Sequence, residues 1–268
     1  MNLLVFASGK GSNFEAIVRA SSSGFLPAEV SGLICDKECP AIEIAKNNAV
    51  PFSVISPKDY LNKNEYIKNL ITTVRTYNPD YIILAGYMRI IPSELIDEYP
   101  MRIINIHPSL LPDFPGKDSI KRAWDSKVKK TGVTVHYVND KLDQGTIIAQ
   151  EEVLLPDTLE DLEARIHDLE HRIYPDAIKK IIEHPYDLLI VSRCLLGDNC
   201  RYDGGNKLSH RVKTFVDKFK GIVLDVCPEL EAGFSIPRSK INLLEERAVM
   251  EEGSLDVTEK LLFASKKI

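Results

Sequence analysis

Residues 2–13, Asn2-Leu3-Leu4-Val5-Phe6-Ala7-Ser8-Gly9-Lys10-Gly11-Ser12-Asn13, run from an unbroken apolar segment into a glycine loop. Asn2–Ala7 lacks polar alternation, which marks a strand buried on both faces. Helical spacing starts near Asn13. Strand, glycine loop and helix in that order form the opening unit of a parallel α/β sheet. Backbone N–H groups at the helix start favour an anion, and Ser12 and Asn13 add side-chain donors. The loop is not a P-loop, and Phe14 stands where Gly-x-Gly-x-x-Gly needs its third glycine. A tight turn that binds nothing has the same signature.

The alternation continues along the chain. Val30–Cys35 and Pro51–Ile55 read as strands, Glu65–Tyr77 as a helix, and Asp80–Ala85 and Arg102–His107 as strands. The expected fold is α/β, a mostly parallel, Rossmann-like sheet with helices on both faces. Gly132–Val138 and Thr146–Leu155 alternate like antiparallel strands that close one edge. A long helix from Thr158 is announced by Asp157-x-x-Glu160, a capping box. Leu159, Leu162, Ile166, Leu169 and Ile173 form its core stripe. Glu163, His167, Glu170 and Tyr174 lie on a different stripe, and Pro175 is expected to kink or interrupt the helix. The pattern restarts at Asp187, which sets a boundary near 185 with His184-Pro185-Tyr186 as linker. The expected domains are 1–185 and a small α/β domain over 187–268.

The chain has 268 residues, 44% hydrophobic, with a net charge of −5 and a pI of about 5.8. That balance argues against a nucleic-acid partner, since such domains carry a basic surplus. The start MNLLVFASGKGSN has no basic leader, and no apolar run approaches the roughly 18 residues of a membrane helix. Five cysteines, an odd number, fit a reduced cytoplasmic protein. The expectation is a cytoplasmic protein, monomer or homodimer, with no nucleic-acid or membrane partner.

The run Asn105-Ile106-His107-Pro108-Ser109-Leu110-Leu111-Pro112 closes one strand, and Leu142-Asp143-Gln144-Gly145 follows it. Asn105 and His107, two residues apart, point to one strand face, and Pro108 keeps His107 extended. They sit at the carboxyl end of a strand, where ligands bind in open α/β sheets. An imidazole titrates near working pH, and an amide donor to a developing oxyanion is worth about 3 kcal/mol. An amide, an imidazole and an orienting carboxylate cover what a formyl group needs to move between two nitrogens. Taken singly, His107 also reads as a strand-end cap and Asn105 as a loop-satisfying amide. Spacing alone does not bring Asp143 to His107.

On these residues the first segment resembles the phosphoribosylglycinamide formyltransferase family. The matching stretches include Ser8-Gly9-Lys10-Gly11-Ser12-Asn13, Leu84-Ala85-Gly86-Tyr87-Met88-Arg89-Ile90-Ile91, Asn105–Pro112 with Phe114-Pro115-Gly116, and Gly132-Val133-Thr134-Val135-His136. They continue through Leu142-Asp143-x-Gly145 to Glu170-His171 and Tyr174-Pro175. The resemblance implies direct formyl transfer from 10-formyltetrahydrofolate, a co-substrate, to 5-phosphoribosylglycinamide in purine (IMP) biosynthesis, with no metal. It implies that Asn105 polarises the formyl oxygen, His107 is the proton donor and Asp143 raises its pKa. It places Gly11, Ser12 and Asn13 on the ribose phosphate and Glu170 at the glycinamide end. Met88, Arg89, Ile90 and Ile91, with Lys63 and Asn105, would bind the formylfolate. Without the resemblance Lys63 reads as a solvated helix lysine, and Met88, Ile90 and Ile91 as core. His136 is read as a structural support. Gln144 and Thr146 depart from the residues common in the family, Gly and Pro.

Two relatives share this chemistry. Methionyl-tRNA formyltransferase is expected to carry a second, basic domain, which 186–268 does not resemble. Formyltetrahydrofolate hydrolase typically shows His-His-Ser where this chain has His107-Pro108-Ser109.

Residues 187–268 hold Cys194, Cys200 and Cys227, in a spacing that fits no standard zinc motif. The alternatives are buried free thiols or ligands of an iron–sulfur cluster or metal. Val191-Ser192-Arg193-Cys194-Leu195-Leu196-Gly197, Arg201-Tyr202-Asp203-Gly204-Gly205, Cys227-Pro228-Glu229 and Pro237-Arg238 resemble the thiouracil desulfurase-like family. That resemblance implies Cys194 and Cys227 as cluster ligands, with a further cysteine from a Ser-Pro-Ser-Cys stretch beyond. The sequence ends at Ile268 before such a stretch. The expectation is an incomplete domain without a cluster, serving as a stabilising or partner-binding appendage.

Overall fold

Strand β1 (Asn2–Ala7) is an interior strand of a seven-stranded sheet. The structure, a computed structural model, describes residues 1–183, 188–219, 222–244, 247–251 and 255–265. The expected linker His184-Pro185-Tyr186, the restart at Asp187 and Gly221 lie outside the described residues.

From β1 the chain proceeds through α1 (Ser12–Ser22), β2 (Glu29–Cys35), α2 (Ala41–Asn47), β3 (Phe52–Val54), α3 (Lys63–Thr76) and β4 (Tyr81–Leu84). It continues with α4 (Ser93–Glu98), β5 (Ile103–His107), α5 (Ser119–Asp125), β6 (Lys130–Tyr137), β7 (Ile147–Leu154) and α6 (Leu159–Glu183). The strand order is β3-β2-β1-β4-β5-β6-β7. The pairs β3–β2, β2–β1, β1–β4 and β4–β5 are parallel. The pairs β5–β6 and β6–β7 are antiparallel, so the expected closing edge is present. Strand order reverses between β1 and β4, which opens a crevice at their carboxyl ends.

The all-apolar strands explain the layering. Leu3, Leu4, Val5 and Phe6 are fully buried, because helices cover both faces of β1. On one face Leu4, Phe6 and Ile82 join Ile67, Leu70 and Val74 of α3 and Leu95 of α4. Helix α6 buries Leu162, Ile166, Leu169 and Ile173, and then Ala177, Ile178 and Ile181.

Two details of α6 correct the sequence reading. The start is capped by Thr158, whose Oγ1 accepts the Asp161 N–H at 3.1 Å, rather than by an Asp157–Glu160 box. The helix also runs uninterrupted through Pro175 to Glu183. A proline inside a helix costs about 3 kcal/mol. Each buried large aliphatic side chain contributes about 1.5–3 kcal/mol. Ile178, Ile181 and Ile182 beyond the proline therefore outweigh it.

The chain divides into two compact units, Met1–Glu183 and His184–Ile268. In the second, β8 (Leu188–Ser192) pairs in parallel with β9 (Ile222–Val226). Between them lies α7 (His210–Lys218), capped by Ser209 Oγ on the Val212 N–H. Short α8 (Pro228–Glu231) follows, then an antiparallel hairpin of β10 (Ile241–Leu244) and β11 (Arg247–Met250), and α9 (Thr258–Ser265).

Candidate active site

The sheet brings its chemistry to the carboxyl ends of β1, β4 and β5. Asn105 and His107 lie on β5, and the antiparallel register of β6 sets His136 opposite Asn105. Asn105 Nδ2 stands 3.2 Å from His136 Nε2. His136 Nδ1 is 2.8 Å from the Tyr137 carbonyl oxygen, which can only accept, so Nδ1 carries the proton. In the neutral ring Nε2 must then accept, and the Asn105 amide can meet it only with an N–H. Burial holds the His136 pKa below the ordinary histidine range, which keeps this neutral tautomer in place. The second N–H of Asn105 remains for another acceptor.

His107 is buried, and its Nε2 donates to the Phe114 carbonyl at 2.9 Å. Its Nδ1 lies 3.6 Å from Asp143 Oδ2. Asp143 Oδ2 in turn accepts the Gly116 N–H at 2.7 Å, and Oδ1 stands 3.8 Å from His136 Nε2. Asp143 takes a left-handed φ of 52°. Two residues on, a Cβ at Gly145 would fall 1.6 Å from the Tyr137 carbonyl oxygen, so only glycine permits this loop to hug β6. The structure thus joins Asp143 to His107, which spacing alone did not. The loop after His107 is clamped from below. Thr134 Oγ1 donates to Ser109 O and accepts from Leu111 N, and Gln150 Nε2 donates to Leu111 O.

The glycine loop turns at Gly11, the N-cap of α1, with φ 83°. A Cβ there would lie 2.8 Å from the Ala41 Cβ. Glu15 N bonds Gly11 O, so the N–H groups of Ser12, Asn13 and Phe14 precede the first helical bond and face outward as an anion cradle. Ser12 is exposed, while Asn13 is buried and its Oδ1 has no partner among the described residues. Glu170 projects from α6 as a buried carboxylate, held by His167 Nδ1 at 2.9 Å. That pairing raises the His167 pKa. Helix α1, which follows the glycine loop, packs against α6. Tyr174, one turn further on α6, is fully buried with its hydroxyl shared between Leu84 O at 2.9 Å and Ile104 O at 3.1 Å.

The loop after β4 carries Met88, 64% exposed, and Ile90, 83% exposed. Leu142, near Asp143, is also exposed. Apolar side chains displayed this way suit a flat, partly aromatic ligand. Ile91 is different: its side chain lies in the core, so only its backbone is available. Ser8 Oγ accepts the Met88 N–H at 2.9 Å, and Arg89 Nε donates to Asp36 Oδ2 at 2.8 Å. Lys63 is exposed at the start of α3. Sequence reading missed His136 as the partner of Asn105 and missed Asp36 altogether. The pairing of strands β5 and β6 was the available signal for the first.

In the second unit Cys200 and Cys227 are buried and Cys194 is half-buried. The Cys227 thiol lies 3.6 Å from Cys200 O and 3.3 Å from Glu229 Oε2. Burial first, then the neighbouring Cys227 and Cys194, pushes the Cys200 thiol up to about 11. Among the described residues no three His, Cys, Asp or Glu side chains gather as a metal site requires.

Residues 1–178 match the formyl transferase family, and residues 189–268 match the 2-thiouracil desulfurase family. The phosphoribosylglycinamide formyltransferase of Bacillus subtilis is 46% identical over 181 residues, covering 66% of this chain and 93% of its own. The crystal structure of phosphoribosylglycinamide formyltransferase from Bacillus halodurans superposes with a TM-score of 0.67 at 42% identity, over 70% of this chain and 98% of the other. A formyltetrahydrofolate deformylase from Pseudomonas syringae shares the fold at 26% identity and a TM-score of 0.63, over 68% of this chain and 61% of its own. Among the described residues no helix is long and apolar enough to cross a membrane.

Proposed function

This chain belongs to the formyl transferase family, and we propose that it moves the formyl group of 10-formyltetrahydrofolate onto the amine of 5-phosphoribosylglycinamide in purine biosynthesis. The observation that carries this reading is the convergence of Asn105, His107 and Asp143 at the carboxyl end of β5, with His107 Nδ1 3.6 Å from Asp143 Oδ2.

The chemistry follows from the donors and acceptors. The acceptor amine attacks the formyl carbon, a new C–N bond forms, and the bond from that carbon to the folate N10 breaks. Negative charge collects on the formyl oxygen in between. The Asn105 N–H not used by His136 is the donor for that charge. The proton lost by the amine must reach N10, and His107 is the proton carrier, with Asp143 facing its second nitrogen. The Gly11-Ser12-Asn13 turn holds the ribose phosphate at the N-terminus of α1. Glu170 lies on the neighbouring helix, where it meets the glycinamide end. Met88 and Ile90 flank the folate, Ile91 contributes backbone groups, and Arg89 and Lys63 face its anionic tail.

Mixing the protein with 10-formyltetrahydrofolate and phosphoribosylglycinamide should give an absorbance change that requires the glycinamide. Formate release without the acceptor would mean hydrolysis instead. No reaction from a folded protein would remove the proposal.

A further inference from the structure

Asp36 follows directly on β2 and is 3% exposed, yet its only hydrogen-bond partner among the described residues is Arg89, Nε to Oδ2 at 2.8 Å. A buried carboxylate is costly unless paired, so this contact holds the arginine firmly. The Arg89 side chain itself is 43% exposed. With Nε engaged, its terminal N–H groups make no hydrogen bond to Asp36 and remain for another acceptor. The adjacent residue is fixed too, since Ser8 accepts the Met88 N–H. Two consecutive residues of the loop are thus pinned to the ends of β1 and β2, which are rigid core strands.

We propose that Asp36 is a positioning residue for the formyl donor: it presets Arg89 so that the guanidinium meets the carboxylate tail of formylfolate. This rests on the reading that the 86–91 loop receives that co-substrate. An arginine already held loses little freedom when a carboxylate docks in its fork. Electrostatics alone predicts the opposite sign, because removing the Asp36 charge would make the loop more attractive to an anion.

Asp36→Asn keeps the shape and removes the charge. The expected result is a KM for 10-formyltetrahydrofolate raised roughly tenfold, about 1.4 kcal/mol. The KM for phosphoribosylglycinamide and kcat should stay within about twofold. The rise should vanish with 10-formyltetrahydropteroate, which lacks the glutamate tail. Arg89→Ala should show the same tail-dependent loss, and the double variant should be no worse than Arg89→Ala. Arg89→Lys, which keeps the charge but not Nε, carries the same comparison if Asp36→Asn does not fold. An unchanged or lower KM, or an equal rise with the tail-less donor, overturns the proposal. Calorimetric titration with the two folates and no acceptor gives the same comparison even if the acceptor assigned above is wrong.

Discussion

His136 dictates which way the Asn105 amide faces. The Tyr137 carbonyl fixes the proton on Nδ1, and Nε2, 3.2 Å from Asn105 Nδ2, can then only accept. Replacing His136 by Phe should leave Asn105 free to turn its oxygen toward the formyl group. Losing one oriented oxyanion donor costs about 3 kcal/mol in the transition state, so kcat should fall by about 10²-fold with little change in either KM. A kcat close to wild type would show that Asn105 orients itself.

The same histidine makes the protein sensitive to acid. Its folded pKa lies below its unfolded value, chiefly because it is buried. Below the unfolded value, about 6.5, the unfolded chain takes up a proton that the folded chain resists. The stability tied to His136 is therefore present above about pH 6.5 and lost as pH falls through the folded value. Urea midpoints of wild type should drop between pH 7.5 and pH 5 by more than those of His136→Phe. Parallel pH curves would contradict this.

His107→Asn should lower turnover by about 10²-fold or more, the range of a general acid–base group. Single-turnover mixing with both substrates measures it directly. A near-normal rate would remove His107 from the chemistry.

Gly11→Ala should weaken the phosphate-bearing substrate more than the folate. The left-handed φ and the 2.8 Å approach to Ala41 both oppose a methyl group, so the turn must shift. Backbone strain of this kind costs about 1–3 kcal/mol. The KM for phosphoribosylglycinamide should rise about tenfold or more, and equal effects on both KM values would argue against a phosphate role for this turn.

Much of the fold was legible because β1 and β4 are apolar runs, and because α3 and α6 are long enough to show a stripe. Helices α2, α4 and α5 were not, since six or seven residues are too few to establish a period. Asn105 and His107 could be paired from strand alternation alone. The approach of Asp143 could not, because it depends on a left-handed residue and on Gly145 pressed against Tyr137. Asp36 was invisible for another reason: its partner is Arg89, across β1, and nothing local marks an aspartate after a strand as an anchor. Pro175 misled because burial of the later turns of α6 outweighs a local breaker.

The Tyr174 hydroxyl also bears on the order of folding. It reaches carbonyls of Leu84 and Ile104, 90 and 70 residues earlier in the chain. As the polypeptide leaves the ribosome, β4 and β5 are complete long before the residue that ties them to α6 exists. The strand carrying Asn105 and His107 must therefore wait for a late helix. A nascent chain arrested before Tyr174 would already hold Asn105, His107 and Asp143 while lacking the clasp on β4 and β5.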